Sequence, residues 1–143
     1  MLRPVRGMVS AFGPIPLLLI PMALYSVFAL TGDMGATSTI ISLPMISGDV
    51  VQLSAGDVLL CVAGALLIFE IAKAADTSSR ALVDMALSIV LCVVSWLALF
   101  ILPGYGTATW VVLVWMQTAD AIGCTLVSVQ AARRDWGVGG APQ

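Results

Sequence analysis

All six Lys and Arg residues of this 143-residue chain lie on one side of four apolar runs. Arg3 and Arg6 precede the first run, Lys73 and Arg80 fall between the second and third, and Arg133 and Arg134 follow the fourth. The other two connections carry no basic residue. A membrane-spanning helix needs about 20 predominantly apolar residues. Loops that retain Lys and Arg stay on the cytoplasmic side. The pattern therefore predicts an all-α integral membrane protein with four transmembrane helices and both termini in the cytoplasm.

Composition agrees. The chain is 60% hydrophobic and 10% charged, whereas soluble domains average about 45–50% apolar and roughly 25% charged. The net charge is -2, and there is neither a basic stretch interleaved with aromatics nor a Gly-rich phosphate loop. A nucleic-acid partner is not expected. Histidine is absent from the sequence, which removes the commonest metal ligand and general base and excludes Ser-His or Cys-His nucleophilic pairs. Haem ligation would have to come from Met, Cys or Tyr. Cys61, Cys92 and Cys124 lie in three different runs without zinc-type spacing, and read as small buried hydrophobes. No catalytic residue, metal or cofactor is expected, and the chain is not expected to be an enzyme.

The spans are placed at about 12–30, 57–75, 80–102 and 108–131, forming one domain over 1–134, with a Gly-rich flexible tail over 135–143. In the first span, Pro14 and Pro16 suit a helix start. Pro21 falls in the interior and should kink the helix, so that a freed backbone group must find a partner on a neighbouring helix. The same stretch, with Arg3, Arg6 and a small-residue site at Val27-Phe28-Ala29, also fits a cleavable signal peptide; the reading adopted keeps it as the first span. Asp57 suits the positive N-terminal end of the second span. The short connection from Ala74 to Ser79 predicts that spans two and three are antiparallel neighbours. Pro103-Gly104-Tyr105-Gly106-Thr107 reads as a tight outer turn, with Trp96, Tyr105 and Trp110 at the membrane interface.

The outer loop, 31–56, carries two β-branched, partly alternating stretches, Thr39 to Leu43 and Val50 to Leu53. Ser47-Gly48-Asp49 between them is a turn signal. A short extracytoplasmic β-hairpin is expected, with Pro44 on an edge strand. A lone hairpin is marginal in water, so this one needs something to lie on: the bilayer surface, the other outer loop or a second protein. Its candidate contact residues are Ile41, Leu43, Val51 and Leu53.

Polar residues inside the runs are the remaining candidates. Asp120 is expected near the bilayer midplane, where an aspartate costs roughly 2.5–3.5 kcal/mol, and so in its neutral form. Gln117, Gly123 and Cys124 share its helix face. Asp84, Ser88, Cys92 and Ser95 form one face of the third span, with Ser88 and Cys92 expected level with Asp120. A hydrogen-bonded seam between spans three and four follows, centred on Asp120 with Ser88 or Ser95. Closer to the cytoplasm, Glu70, Lys73, Arg80 and Asp84 should form a charge cluster. Such a cluster is either a helix-end network with snorkelling basic chains or the mouth of a proton path. The small pairs Cys61/Ala65 and Ala119/Gly123 permit close helix approach.

Functionally, a chain with no catalytic set and almost no extramembrane domain reads as a non-catalytic accessory or assembly subunit of a larger membrane complex or homo-oligomer. The alternative is a small proton- or cation-coupled transporter or channel built on Asp120, with Glu70 and Asp84 lining its cytoplasmic mouth. The expected partners are the lipid bilayer and other membrane subunits or further copies of the chain. With no organelle signal, the expected location is a bacterial inner membrane.

Overall fold

Helix formation begins cleanly where local chemistry can satisfy the first turn, and late where it cannot. The structure is a computed structural model that describes residues 15–31, 38–74 and 79–138, with side chains described outside 74, 79–81 and 131–138. Its elements are helix α1 (Leu19–Thr31), strands β1 (Thr39–Pro44) and β2 (Val50–Ser54), and helices α2 (Ala55–Ala74), α3 (Ser79–Ile101) and α4 (Ala108–Val138). Three of the helices hold stretches long and apolar enough to cross a membrane: Ala55–Lys73, Leu82–Ile101 and Ala108–Gln130.

α2 starts at a reciprocal cap. Ser54 Oγ accepts from the Asp57 amide at 3.2 Å, and Asp57 Oδ2 accepts from the Ser54 amide at 2.8 Å and from its hydroxyl at 2.6 Å. Two otherwise orphaned donors are satisfied by side chains three residues apart.

α1 departs from expectation. The first span was placed at 12–30, but the helix has 13 residues, about 20 Å of rise against a hydrocarbon core of about 30 Å. Proline is the reason. Ile15 precedes Pro16 and is disfavoured from helical geometry. The chain then turns tightly, with the Leu19 and Ile20 amides donating to the Pro16 and Leu17 carbonyls, each at 3.1 Å. Pro21 therefore sits in the first helical turn rather than the interior. Its missing N–H has no intrahelical partner there, and the predicted interior kink has no cause.

Order in space also differs from order in sequence. α4 lies along both α2 and α3, while α2 and α3 touch only sparsely. The short connection brings their ends together without making them packed neighbours. Breadth of the buried stripe accounts for this. α4 buries Trp110, Leu113, Val114, Gln117, Asp120, Ala121 and Cys124, whereas α2 buries Leu59, Ala63 and Glu70 and α3 buries Asp84, Ser88, Ser95 and Ala98. The helix with the widest stripe takes the middle position. α4 also runs on to Val138, past the expected span end at 131 and into the segment expected as a flexible tail. Gln130-Ala131-Ala132-Arg133-Arg134 is rich in good helix formers.

The exterior of the helices is apolar. Ile68, Phe69, Val90, Phe100, Trp115 and Leu126 are exposed while carboxylates are enclosed. Lipid accepts this arrangement and water does not. At the end near the hairpin, Tyr25, Tyr105 and Trp110 form a buried aromatic cluster with ring centroids 4.7–6.0 Å apart. The Tyr25 hydroxyl bonds Thr107 Oγ1 and donates to the Gly104 carbonyl at 3.4 Å, so α1 holds the 102–107 turn. Gly104 sits at φ 87° with the Ala29 carbonyl against it, a backbone conformation suited to glycine. Trp110 and Tyr105 thus face protein rather than the membrane interface.

β1 and β2 form a two-stranded antiparallel hairpin. Its turn is closed by the Met45 amide donating to the Asp49 carbonyl at 2.8 Å and by Gly48 at φ 90°. Ile41 pairs with Leu53 and Leu43 with Val51. Alternation across the pleat puts these four on one face.

Candidate functional site

A carboxylate within lipid must either be neutral or find partners inside the protein. Three buried carboxylates, Glu70, Asp84 and Asp120, answer that demand in two groups.

The first group lies where α1, α2 and α3 converge. Lys73 Nζ is 3.1 Å from Glu70 Oε1 and 2.9 Å from Asp84 Oδ1. Glu70 is fully enclosed and Asp84 nearly so. The lysine also donates to the Ile15 carbonyl at 3.0 Å, and Glu70 Oε2 accepts from the Leu17 amide at 3.0 Å. Side chains of α2 thereby satisfy the backbone that Pro16 keeps out of the helix. Lys73 turns inward, its side chain 11% exposed, instead of snorkelling outward. Arg80, the fourth member expected here, lies outside the described side chains, as do Arg133 and Arg134; Arg3 and Arg6 precede the described residues.

The second group lies one helical turn further along α3. Gln117 Nε2 donates to the Ser88 carbonyl at 3.1 Å and lies 3.5 Å from Asp120 Oδ2. The Cys124 thiol is 3.5 Å from Asp120 Oδ1. Asp120, Gln117 and Ser88 are all fully enclosed. The Ser88 hydroxyl lies beside the Asp120 carboxyl group without completing a hydrogen bond of normal geometry. Gln117 Oε1 has no partner among the described residues.

Ser95 is buried in the same seam but does not reach Asp120. Its hydroxyl turns back to the Cys92 carbonyl at 2.8 Å, and its own carbonyl accepts from Trp110 Nε1 at 3.3 Å. The pairing of Asp120 with Ser95 considered from sequence is therefore replaced by an indole contact. Sequence reasoning also missed Thr118, which accepts from Trp96 Nε1 at 3.1 Å, contacts Cys92 Sγ at 3.5 Å and donates to the Val114 carbonyl at 2.8 Å. Its only signal was a polar residue in an apolar run. The small residues Cys61, Ala65 and Ala119 are exposed, and nothing lies within 4 Å of a Cβ added at Gly123. These pairs make no close approach among the described residues.

The third candidate region, the hairpin, is uncovered. Ile41 and Leu43 are exposed on one face, Ile40 and Val50 on the other, and Ile46 at the tip is 108% exposed. Among the described residues no helix lies over β1. Among the described residues there is also no group of His, Cys, Asp and Glu spaced to hold a metal.

These features define a helical protein of membrane type with an enclosed polar seam and an exposed apolar hairpin. Comparison with protein-family models, with curated proteins and with solved structures returns no match.

Proposed function

We propose that this chain is a non-catalytic accessory or assembly subunit of a larger membrane complex, or of a homo-oligomer, in a bacterial inner membrane. One observation carries the reading: the hairpin is formed, yet both of its faces hold exposed aliphatic side chains, among them Ile40, Ile41, Leu43 and Val50, that the described helices do not cover. An isolated hairpin gains too little from burial to offset the ordering of its backbone. A neighbouring membrane protein, or a second copy, supplies the missing surface. The seam supports the same reading, because enclosed polar groups orient helices without offering a substrate room. That enclosure also weighs against the transporter alternative, in which Asp120 would face a water-filled path.

In the proposed topology both termini are cytoplasmic and the hairpin is outside. The first apolar run, 12–30, makes a fourth crossing, with its proline-bearing part held to α2 by Glu70 and Lys73. A photo-reactive residue at Ile46, introduced in whole cells, tests the partner. The expected product is a discrete adduct with another membrane protein or with a second copy of this chain. Adducts with lipid alone would overturn the reading. Ser47→Cys should label from the outer side, and labelling only from the cytoplasm would reverse the topology.

A further inference from the structure

The seam contains an unmet hydrogen-bond demand that points to a specific ligand. Gln117 is oriented without ambiguity: its amide nitrogen must face the Ser88 carbonyl, since the oxygen there would oppose another acceptor. Gln117 Oε1 is therefore a pure acceptor, fully enclosed and without a donor. Ser88 Oγ is likewise enclosed and unpartnered beside Asp120. An ionised Asp120 only accepts. It competes for the donors of Gln117 and Cys124, both at 3.5 Å, and supplies none. A protonated Asp120 has one O–H donor to give, in the place where two acceptors lack one.

We propose that Asp120, Gln117 and Ser88 form a reversible proton-binding site, loaded from the Lys73 end of the seam and closed at the other. Loading adds one proton to a carboxylate oxygen of Asp120. An O–H bond forms, the group goes from one negative charge to neutral, and the new donor turns to Gln117 Oε1 or Ser88 Oγ. The titratable and charged groups facing it are Asp84 on α3, Glu70 and Lys73 on α2, and Cys124 on α4 itself. Asp84 lies one turn below Ser88 on the same face of α3. Lys73 and Asp84 mark the entrance of the track, at the end of the helices away from the hairpin. The Ser88 hydroxyl both donates and accepts, so it can take a proton from the Asp84 side as it passes its own to Asp120. Beyond Asp120 the seam is filled by Val114, Leu113 and Trp110, all buried, and the buried Ser95 hydroxyl there is turned back to the Cys92 carbonyl at 2.8 Å, away from Asp120. A proton can enter and leave by one end only. The site senses pH on that side and does not carry protons across.

Infrared spectroscopy of the full chain in lipid nanodiscs tests this. The carbonyl stretch of a protonated carboxylic acid should be present at neutral pH, shift in D2O, and vanish reversibly as pH is raised. Asp120→Asn should remove the band while helix content stays unchanged, whereas Glu70→Gln and Asp84→Asn should leave it. Ser88→Ala should keep the band and slow its H/D exchange. A band that survives in Asp120→Asn would place the proton elsewhere and overturn the assignment. A wild-type band that fails to shift in D2O, or does not titrate while the protein stays folded, would overturn reversible binding even if the Asn variant did not fold. In vesicles of uniform orientation the band should follow the pH on the Lys73 side, and a response to the opposite side would overturn the closed end.

Discussion

The seam and the hairpin place their chemistry in opposite ways. In the seam, polar groups sit inside an apolar exterior, and nearly every one finds its partner within the chain: Glu70 and Asp84 on Lys73, the Leu17 amide on Glu70, the Ser88 carbonyl on Gln117. In the hairpin, apolar groups sit outside, and Ile40, Ile41, Leu43 and Val50 stay exposed among the described residues. The difference teaches where each region's stability resides. For its charged groups the seam is self-sufficient, and removing its cation should cost stability. The hairpin is not, and its residues should matter to assembly more than to folding.

The largest effect should come from Lys73. Lys73→Met leaves Glu70 and Asp84 enclosed without their cation, and also drops the donor to the Ile15 carbonyl. Breaking a buried pair by removing one partner costs about 3–5 kcal/mol. Unfolding titrations in mixed micelles should show a loss of that order. Adding Glu70→Gln and Asp84→Asn to Lys73→Met should restore much of it, since the uncompensated charges are then gone. If Lys73→Met were as stable as the wild type, the seam would not be self-sufficient, and the contrast with the hairpin would collapse.

A smaller effect separates charge from capping. Glu70→Leu leaves the Leu17 amide without an acceptor, which costs about 1–3 kcal/mol. Glu70→Gln keeps an oxygen in nearly the same place and should cost less. The same titrations, together with amide exchange at Leu17, measure both. Exchange at Leu17 should quicken in the Leu variant and stay slow in the Gln variant. Equal exchange in the two would mean that Glu70 holds Lys73 and does not cap the start of α1.

These contacts also mark how far the sequence could be read. The α2 start was legible because Ser54 and Asp57 are three residues apart, and caps of that kind are local. The hairpin was legible because strand alternation and a Ser-Gly-Asp turn are local as well. The common depth of Asp120 and Ser88 followed from counting rise along two helices. The late start of α1 was legible only in part: Pro16 is local, but the Glu70 carboxylate that accepts the Leu17 amide lies 53 residues away. The central place of α4 was not legible, since it depends on how widths of buried stripes compare among helices that composition makes alike. The preference of Ser95 for its own helix backbone, with Trp110 taking its carbonyl, turns on helix rotation and side-chain rotamers. Spacing along one helix leaves both undetermined.

The smallest effect on folding, and the sharpest test of the comparison, belongs to the hairpin. Leu43 and Leu53 lie on the face that Ile41 and Val51 complete. Leu43 is 47% exposed and Leu53 is half-buried, so replacing the pair removes far less burial within the chain than any change in the seam. Surface substitutions of this kind usually stay within about 0.5 kcal/mol. The purified Leu43→Ser/Leu53→Ser variant should therefore unfold at nearly the wild-type point, with its helices inserted as before. In native membranes the same variant should lose its partner on mild-detergent purification, because the apolar face is then gone from the contact. Hydrogen exchange joins the two results: amides over 39–53 should be slow in the wild-type assembly and fast in the variant. Fast exchange there in the wild-type assembly would mean that no partner holds the hairpin. A folding defect in the isolated variant would mean that the chain itself depends on it. Either result would move the hairpin to the seam's side of the comparison and leave the accessory role without its carrying observation.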